Sequence, residues 1–169
     1  MATKILLLFD DFFQNYFFIF LIILFFLFLS LLYFYKNSDD FQRYLDKIFV
    51  ENLFMIKDIY LSMQFYKLFL VIDIMLKSNY EFHKALISSK ILLKNKYLLD
   101  KIYIIDISLQ NGKSINESFF RTKIFDDIVL NLINTGEVTN SLDVTIYEIK
   151  EIYKNRFYEK TNLLISFIQ

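Results

Sequence analysis

The chain has 169 residues, 19 acidic and 19 basic side chains, one histidine, no cysteine, no proline and two glycines, and 56% of it is hydrophobic. Without cysteine there are no disulfides, zinc-thiolate centres or cysteine nucleophiles, and balanced charge lacks the basic excess of a nucleic-acid binder, so no nucleic-acid partner is expected. The length suits one domain with an appendage. The apolar share exceeds that of an ordinary soluble domain, so part of the chain is expected to face lipid.

That part comes first. No charged residue lies between Asp11 and Lys36, and Tyr16 to Tyr35 form an apolar run in which Ser30 is the lone polar residue between Tyr16 and Tyr33. At ~1.5 Å per residue, about 20 such residues span the ~30 Å hydrocarbon core. The run predicts a transmembrane helix over 16–36, with Tyr16, Tyr33 and Tyr35 as interfacial aromatics. A cleaved signal peptide would need a basic start and a small-residue cleavage site; Asp10 and Asp11 precede this run instead. Lys36, Arg43 and Lys47 follow it, against Lys4 before it, so residues 1–15 are expected on the non-cytoplasmic side and residues 37–169 in the cytoplasm.

Beyond the span, residues 37–57 read as a juxtamembrane helical linker and 58–169 as a helical domain. Leu61, Phe65, Leu68, Ile72 and Leu76 recur at helical spacing, as do Leu98, Ile102, Ile105 and Leu109. The pattern predicts helices near 40–56, 58–77, 81–93, 96–110, 115–121, 126–136 and 142–167. In the last, Leu142, Ile146, Ile149, Tyr153 and Phe157 form one seam, with Glu148, Lys150, Glu151 and Lys154 on its other sides. Short connections imply antiparallel neighbours. The expected fold class is all-α: one N-terminal transmembrane helix followed by an antiparallel bundle of about six helices.

The two glycines fall where the periodic runs break. A glycine in such a chain survives where the backbone needs positive φ or where two segments approach closely. Gly112 sits where a left-handed residue would stop the helix ending near Leu109. Ser114, with Glu117 three residues on, then reads as the capping box of the next helix. Taken alone, this stop and restart fits many unrelated bundles.

Catalytic constellations are sparse. His83 reads as a helix-surface residue, and Asp126 and Asp127 as carboxylates at a helix start, favoured by the dipole there. No glycine-rich phosphate loop, nucleophile elbow or metal-binding helix motif occurs. No enzyme activity, cofactor or metal is expected.

Three blocks together are more specific: Asn79 with Ala85 and Leu86; Gly112, Ser114, Ile115 and Phe119; and Gly136, Glu137, Thr139, Asn140 and Leu142. In residues and spacing they resemble the cytoplasmic domain of the bacterial type II secretion F protein and type IV pilus assembly C protein family, the inner-membrane platform proteins. Leu45 and Asp46 resemble that family's entry into the domain. Asn79 and Asn140 stand where the family usually has glycine. Asparagine best tolerates the left-handed region among the other residues, so the turns are expected to persist.

The resemblance implies a platform (scaffold) in the bacterial inner membrane that self-associates and couples a cytoplasmic assembly ATPase to pilin or pseudopilin subunits, with no bond chemistry of its own. It leaves Glu137 either capping or pairing within the turn before the last helix, or reaching a neighbouring subunit. Family members carry two domain copies and three transmembrane helices; this sequence has one of each, and Leu163 to Ile168 resemble the entrance to a further helix. The alternative implied is a membrane-tethered helical adaptor, or a truncated, reduced member without an assembly role.

Overall fold

The computed structural model describes residues 2–52 and 56–168, with side chains from Tyr16 to Asn52 and from Ile56 to Phe167. Residues 53–55, within the predicted 40–56 helix, lie outside the described residues. The chain divides into two units, Met1–Gln42 and Arg43–Gln169.

The first unit is dominated by α1 (Ala2–Asn37). The helix therefore begins well before the predicted span at residue 16, because no proline or glycine interrupts the preceding residues. From Tyr16 to Tyr35 its side chains are exposed on every side. A helix that is apolar all round and uncovered by protein is suited to lipid. Ser38 then starts α2 (Asp39–Glu51), its hydroxyl accepting the Phe41 N–H at 3.3 Å.

The second unit contains the rest of α2, then α3 (Ile56–Lys77), α4 (Phe82–Ser89), a 3-10 turn (Lys90–Leu92), α5 (Lys96–Gln110), α6 (Ile115–Phe120), α7 (Asp127–Val138) and α8 (Leu142–Ile168). There is no strand among the described residues, and the fold is all-α. The predicted 81–93 helix is shorter than its periodicity suggests: it tightens into the 3-10 turn, and Leu93 adopts an extended backbone. Asn95 can then cap α5, its side chain accepting the Leu98 N–H at 2.9 Å.

The long helices run antiparallel, as their partners show. Along α3, Asp58 pairs with Lys160, Phe65 and Phe69 with Tyr153, and Asp73 with Lys150 of α8. On α7, Asp126 pairs with Arg156 and Gly136 meets Thr145, again in reverse order along α8. Helix α3 is long and apolar enough to pass for a membrane span. Its Leu68, Phe69 and Ile72 are completely buried in the bundle, so it is the core helix of this unit.

The predicted stripes supply the core: Phe65, Leu68 and Ile72 from α3, Leu98, Ile102 and Ile105 from α5, and Ile146, Ile149 and Tyr153 from α8. Aromatic rings tie the elements together. Phe65 lies 4.9 Å from Phe125, Phe119 4.9 Å from Phe125, and Phe69 stacks on Tyr153 at 5.7 Å between ring centres. Such pairs add roughly 0.5–1.5 kcal/mol each beyond their burial.

Helix α2 is fastened by polar groups. The buried Asp46 carboxylate accepts the Lys96 N–H at 2.7 Å, and the Asn95 amide donates to the Asp46 carbonyl at 3.2 Å. A carboxylate at the first turn of α5 is stabilised by the unpaired N–H groups there. Tyr97 donates to Glu51 at 2.9 Å, and burial, with that bond second, pushes its phenol up to about 12.

Candidate functional site

The three sequence blocks meet the structure at helix ends. Asn79, Gly112 and Asn140 all adopt the left-handed conformation, with φ of 61°, 74° and 54°. Each stops a helix. After α3, the Asn79 N–H reaches the Leu76 carbonyl and the Tyr80 N–H the Met75 carbonyl; after α5, Gly112 reaches Leu109 and Lys113 reaches Ser108. These are paired Schellman bonds, which satisfy carbonyls the helix leaves open. After α7, the Ser141 N–H closes on the Gly136 carbonyl at 2.9 Å. Lys123, with φ 56°, is a fourth left-handed residue. No residue type announced it, because lysine carries no turn signal.

Ser114 caps α6: its hydroxyl accepts the Glu117 N–H at 3.1 Å. The reciprocal half of the capping box is replaced. Glu117 turns instead to Lys113, at 2.7 Å, and Arg121, at 3.6 Å. The bond from Lys113, ahead of the field of both cations, holds the Glu117 carboxyl below its usual range.

Glu137 serves the start of α6 from a distance. Its two carboxylate oxygens accept the Ile115 N–H at 2.7 Å and the Asn116 N–H at 2.9 Å. These are the first two N–H groups of α6, which no carbonyl of that helix can satisfy. Within the chain, Glu137 serves α6 rather than the turn before α8.

Gly136 does not form a turn. Helix α7 runs through it to Val138, and the reversal comes at Asn140. What Gly136 supplies is close approach: a Cβ there would overlap Thr145 Oγ1 and lie 3.0 Å from its Cγ2 and 3.1 Å from its Cβ. Thr139 follows as the C-cap of α7, its hydroxyl donating to the Thr135 carbonyl at 2.7 Å, and Leu142 packs against the core. Gly136, Glu137 and Asn140 therefore lock α7 to α8, to α6 and to the following turn.

Two buried polar clusters escaped the sequence. Lys150, expected on the polar side of α8, is buried and donates to Asp73 at 3.0 Å, while also lying 3.2 Å from Glu151 and 4.0 Å from the centre of the Tyr147 ring. Burial alone would lower its pKa; the bonds to Asp73 and Glu151 outweigh that and raise it. Asp73 also lies 2.9 Å from Lys77. Helical periodicity put Lys150 one position from the Ile149 seam, and a long side chain can turn inward when a carboxylate waits.

The second cluster centres on Asp106 of α5. It receives His83 at 2.7 Å, Gln110 at 2.8 Å and Lys90 at 3.1 Å. Burial works to raise its pKa, but the bonds from His83, Lys90 and Gln110 prevail and hold the carboxyl below its ordinary value. His83, on the surface of α4, is therefore a strut to α5. Asp126 caps α7 through Val129 N–H at 3.0 Å and pairs with Arg156 through its other oxygen.

Chemically, these groups bind one helix to the next. No cluster of three His, Cys, Asp or Glu residues able to hold a metal ion occurs among the described residues. Helices α6, α7 and α8 are coupled through charge-assisted bonds and direct packing.

Comparison with known families matches residues 71–169 to "Type II secretion system (T2SS), protein F". No curated protein and no solved structure matches the chain. The matched residues run from the second half of α3 to the end of α8, and hold all three left-handed helix stops and the Glu137 bridge. With more than half of its length covered, the chain belongs to the type II secretion system protein F family, a family of membrane platform components.

Proposed function

We propose that the chain serves as an inner-membrane platform of a type II secretion or type IV pilus assembly machine, coupling a cytoplasmic assembly ATPase to pilin or pseudopilin assembly. The observation that carries this reading is the family match over residues 71–169. The exposed apolar α1 supports a membrane anchor, and the basic residues after it support a cytoplasmic bundle. In this reading residues 1–15 are periplasmic, 16–36 cross the membrane, 37–57 connect and 58–169 form the working domain.

The mechanism is mechanical. An ATPase acting on one helix of the bundle would move its neighbours, because Glu137 and the Gly136–Thr145 contact resist slippage between α6, α7 and α8. Self-association would multiply that displacement around the assembly site.

Deletion of the gene and complementation test this. Loss of surface pili or secreted substrate, restored by the intact chain, is the expected result; normal assembly in the deletion strain would overturn the reading.

A further inference from the structure

Charge is balanced over the whole chain but not along it. From Phe82 to Leu99 there are four lysines and no carboxylate, a stretch that covers α4, the 3-10 turn and the start of α5. Helix α4 buries Phe82, Ala85, Leu86 and Ser89 in the bundle. This leaves Lys84, Ile87, Ser88 and Ile91 exposed on the other side, at the i, i+3, i+4, i+7 spacing of one helical face. Ile91 is 85% exposed, more than Phe18, which at 76% is the most exposed large apolar side chain described in α1. Ile87 and the adjoining Leu92 are exposed as well. Single surface isoleucines are ordinary, but three neighbouring apolar side chains among lysines mark an interaction site.

The lysines are only partly answered from within the chain. Lys90 turns to Asp106 at 3.1 Å. Lys84 meets Glu81 at 3.1 Å in a pair open to solvent, which is a weak tie. Lys94 makes no ion pair among the described residues. Its ammonium instead repels that of the half-buried Lys67 on α3: burial first, and Lys94 second, lower the Lys67 pKa, with no carboxylate acting against them. The surplus at this surface is positive, and its complement is anionic.

We propose that the outer face of α4 and the turn after it dock on an anionic bilayer surface, with Ile87, Ile91 and Leu92 entering the boundary between headgroups and acyl chains and Lys84 and Lys94 meeting lipid phosphates. Exposed apolar side chains flanked by lysines are the composition that holds a helix at such an interface. The inference rests on the reading of α1 as a membrane anchor. The second unit begins at Arg43, shortly after α1 ends at Asn37, so the bilayer is a tethered partner at high effective concentration. An acidic protein would answer the lysines, but it would have to be recruited from solution.

Because the chain has no cysteine, Ser88→Cys carries a single nitroxide on this face. The full chain is placed in nanodiscs of phosphatidylcholine alone, or of an equal mixture with phosphatidylglycerol. Paramagnetic resonance then compares collisions with oxygen, which concentrates in lipid, and with a water-soluble nickel chelate. In the mixed discs the label should be opened to oxygen and shielded from nickel, with a ratio of immersed to aqueous label about fivefold or more above that in phosphatidylcholine. Lys94→Gln should lower that ratio about fivefold and Ile91→Ser about tenfold. Circular dichroism checks that both variants fold; if one does not, the other decides. A label equally open to nickel in both lipids, or one unmoved by the folded variants, would overturn the proposal alone. A chain that elutes apart from the discs would overturn the anchor reading and this proposal with it.

Discussion

The carboxylate of Glu137 holds the backbone N–H of Ile115 at 2.7 Å, so a side chain on α7 does for α6 what that helix cannot do for itself. The bond is charge-assisted and joined by a second, from Asn116. Glu137→Gln replaces one acceptor oxygen with a donor facing an N–H. It should cost about 2 kcal/mol of stability, within the range for hydrogen bonds to charged groups. Urea unfolding of the full chain in detergent measures it; a loss under ~0.5 kcal/mol would mean that water serves α6 equally well.

Gly136→Ala should destabilise, although alanine is the better helix former by about 1 kcal/mol. The new methyl meets Thr145 through three atoms, and Thr145 is itself buried. Overpacking of this kind costs ~1–3 kcal/mol. Adding Thr145→Ala removes the hydroxyl and methyl from the contact and should recover most of the loss. A double variant as unstable as Gly136→Ala would place the cost elsewhere.

Lys150 and Asp73 form the most buried ion pair between α3 and α8. Lys150→Met leaves Asp73 with Lys77 alone and should cost about 3 kcal/mol, whereas a paired apolar replacement of Lys150 and Asp73 should regain much of it. Chemical denaturation of the two single variants and the double variant forms the cycle. Additive losses would contradict a direct pairing.

Asp106 contributes to the acid limb of stability. Its folded pKa is depressed, so its contribution is present in full well above the unfolded value of about 3.9 and is lost as pH falls below that through the folded pKa. Asp106→Asn should flatten the fall in stability below about pH 4 relative to the parent. Thermal unfolding from pH 7 down to pH 2 reads this. An unchanged acid limb in the variant would remove Asp106 from the account.

Much of this architecture was readable from spacing. The stripes through Phe65, Leu68 and Ile72, and through Leu98, Ile102 and Ile105, are core because helical periodicity places them together. The left-handed conformations of Asn79 and Asn140 follow from the one residue type, after glycine, that tolerates that geometry. Other features depend on partners distant in sequence. Glu137 reaches α6 across 22 positions, and Lys150 finds Asp73 across 77. Local pattern records neither separation, so a surface charge and a buried strut looked alike. Gly136 carried the opposite ambiguity: turn and close approach both call for glycine, and only the facing Thr145 distinguishes them.

The central claim is tested most directly by site-specific photo-cross-linking in intact membranes. The cross-linking residue would be placed at exposed positions such as Val138 and Val144, which flank the Asn140 turn. The account predicts a cross-link from the bundle to the cytoplasmic assembly ATPase, made in its presence and lost when it is deleted. A full scan of exposed bundle positions that never captures the ATPase, in cells that assemble pili or secrete normally, would contradict it.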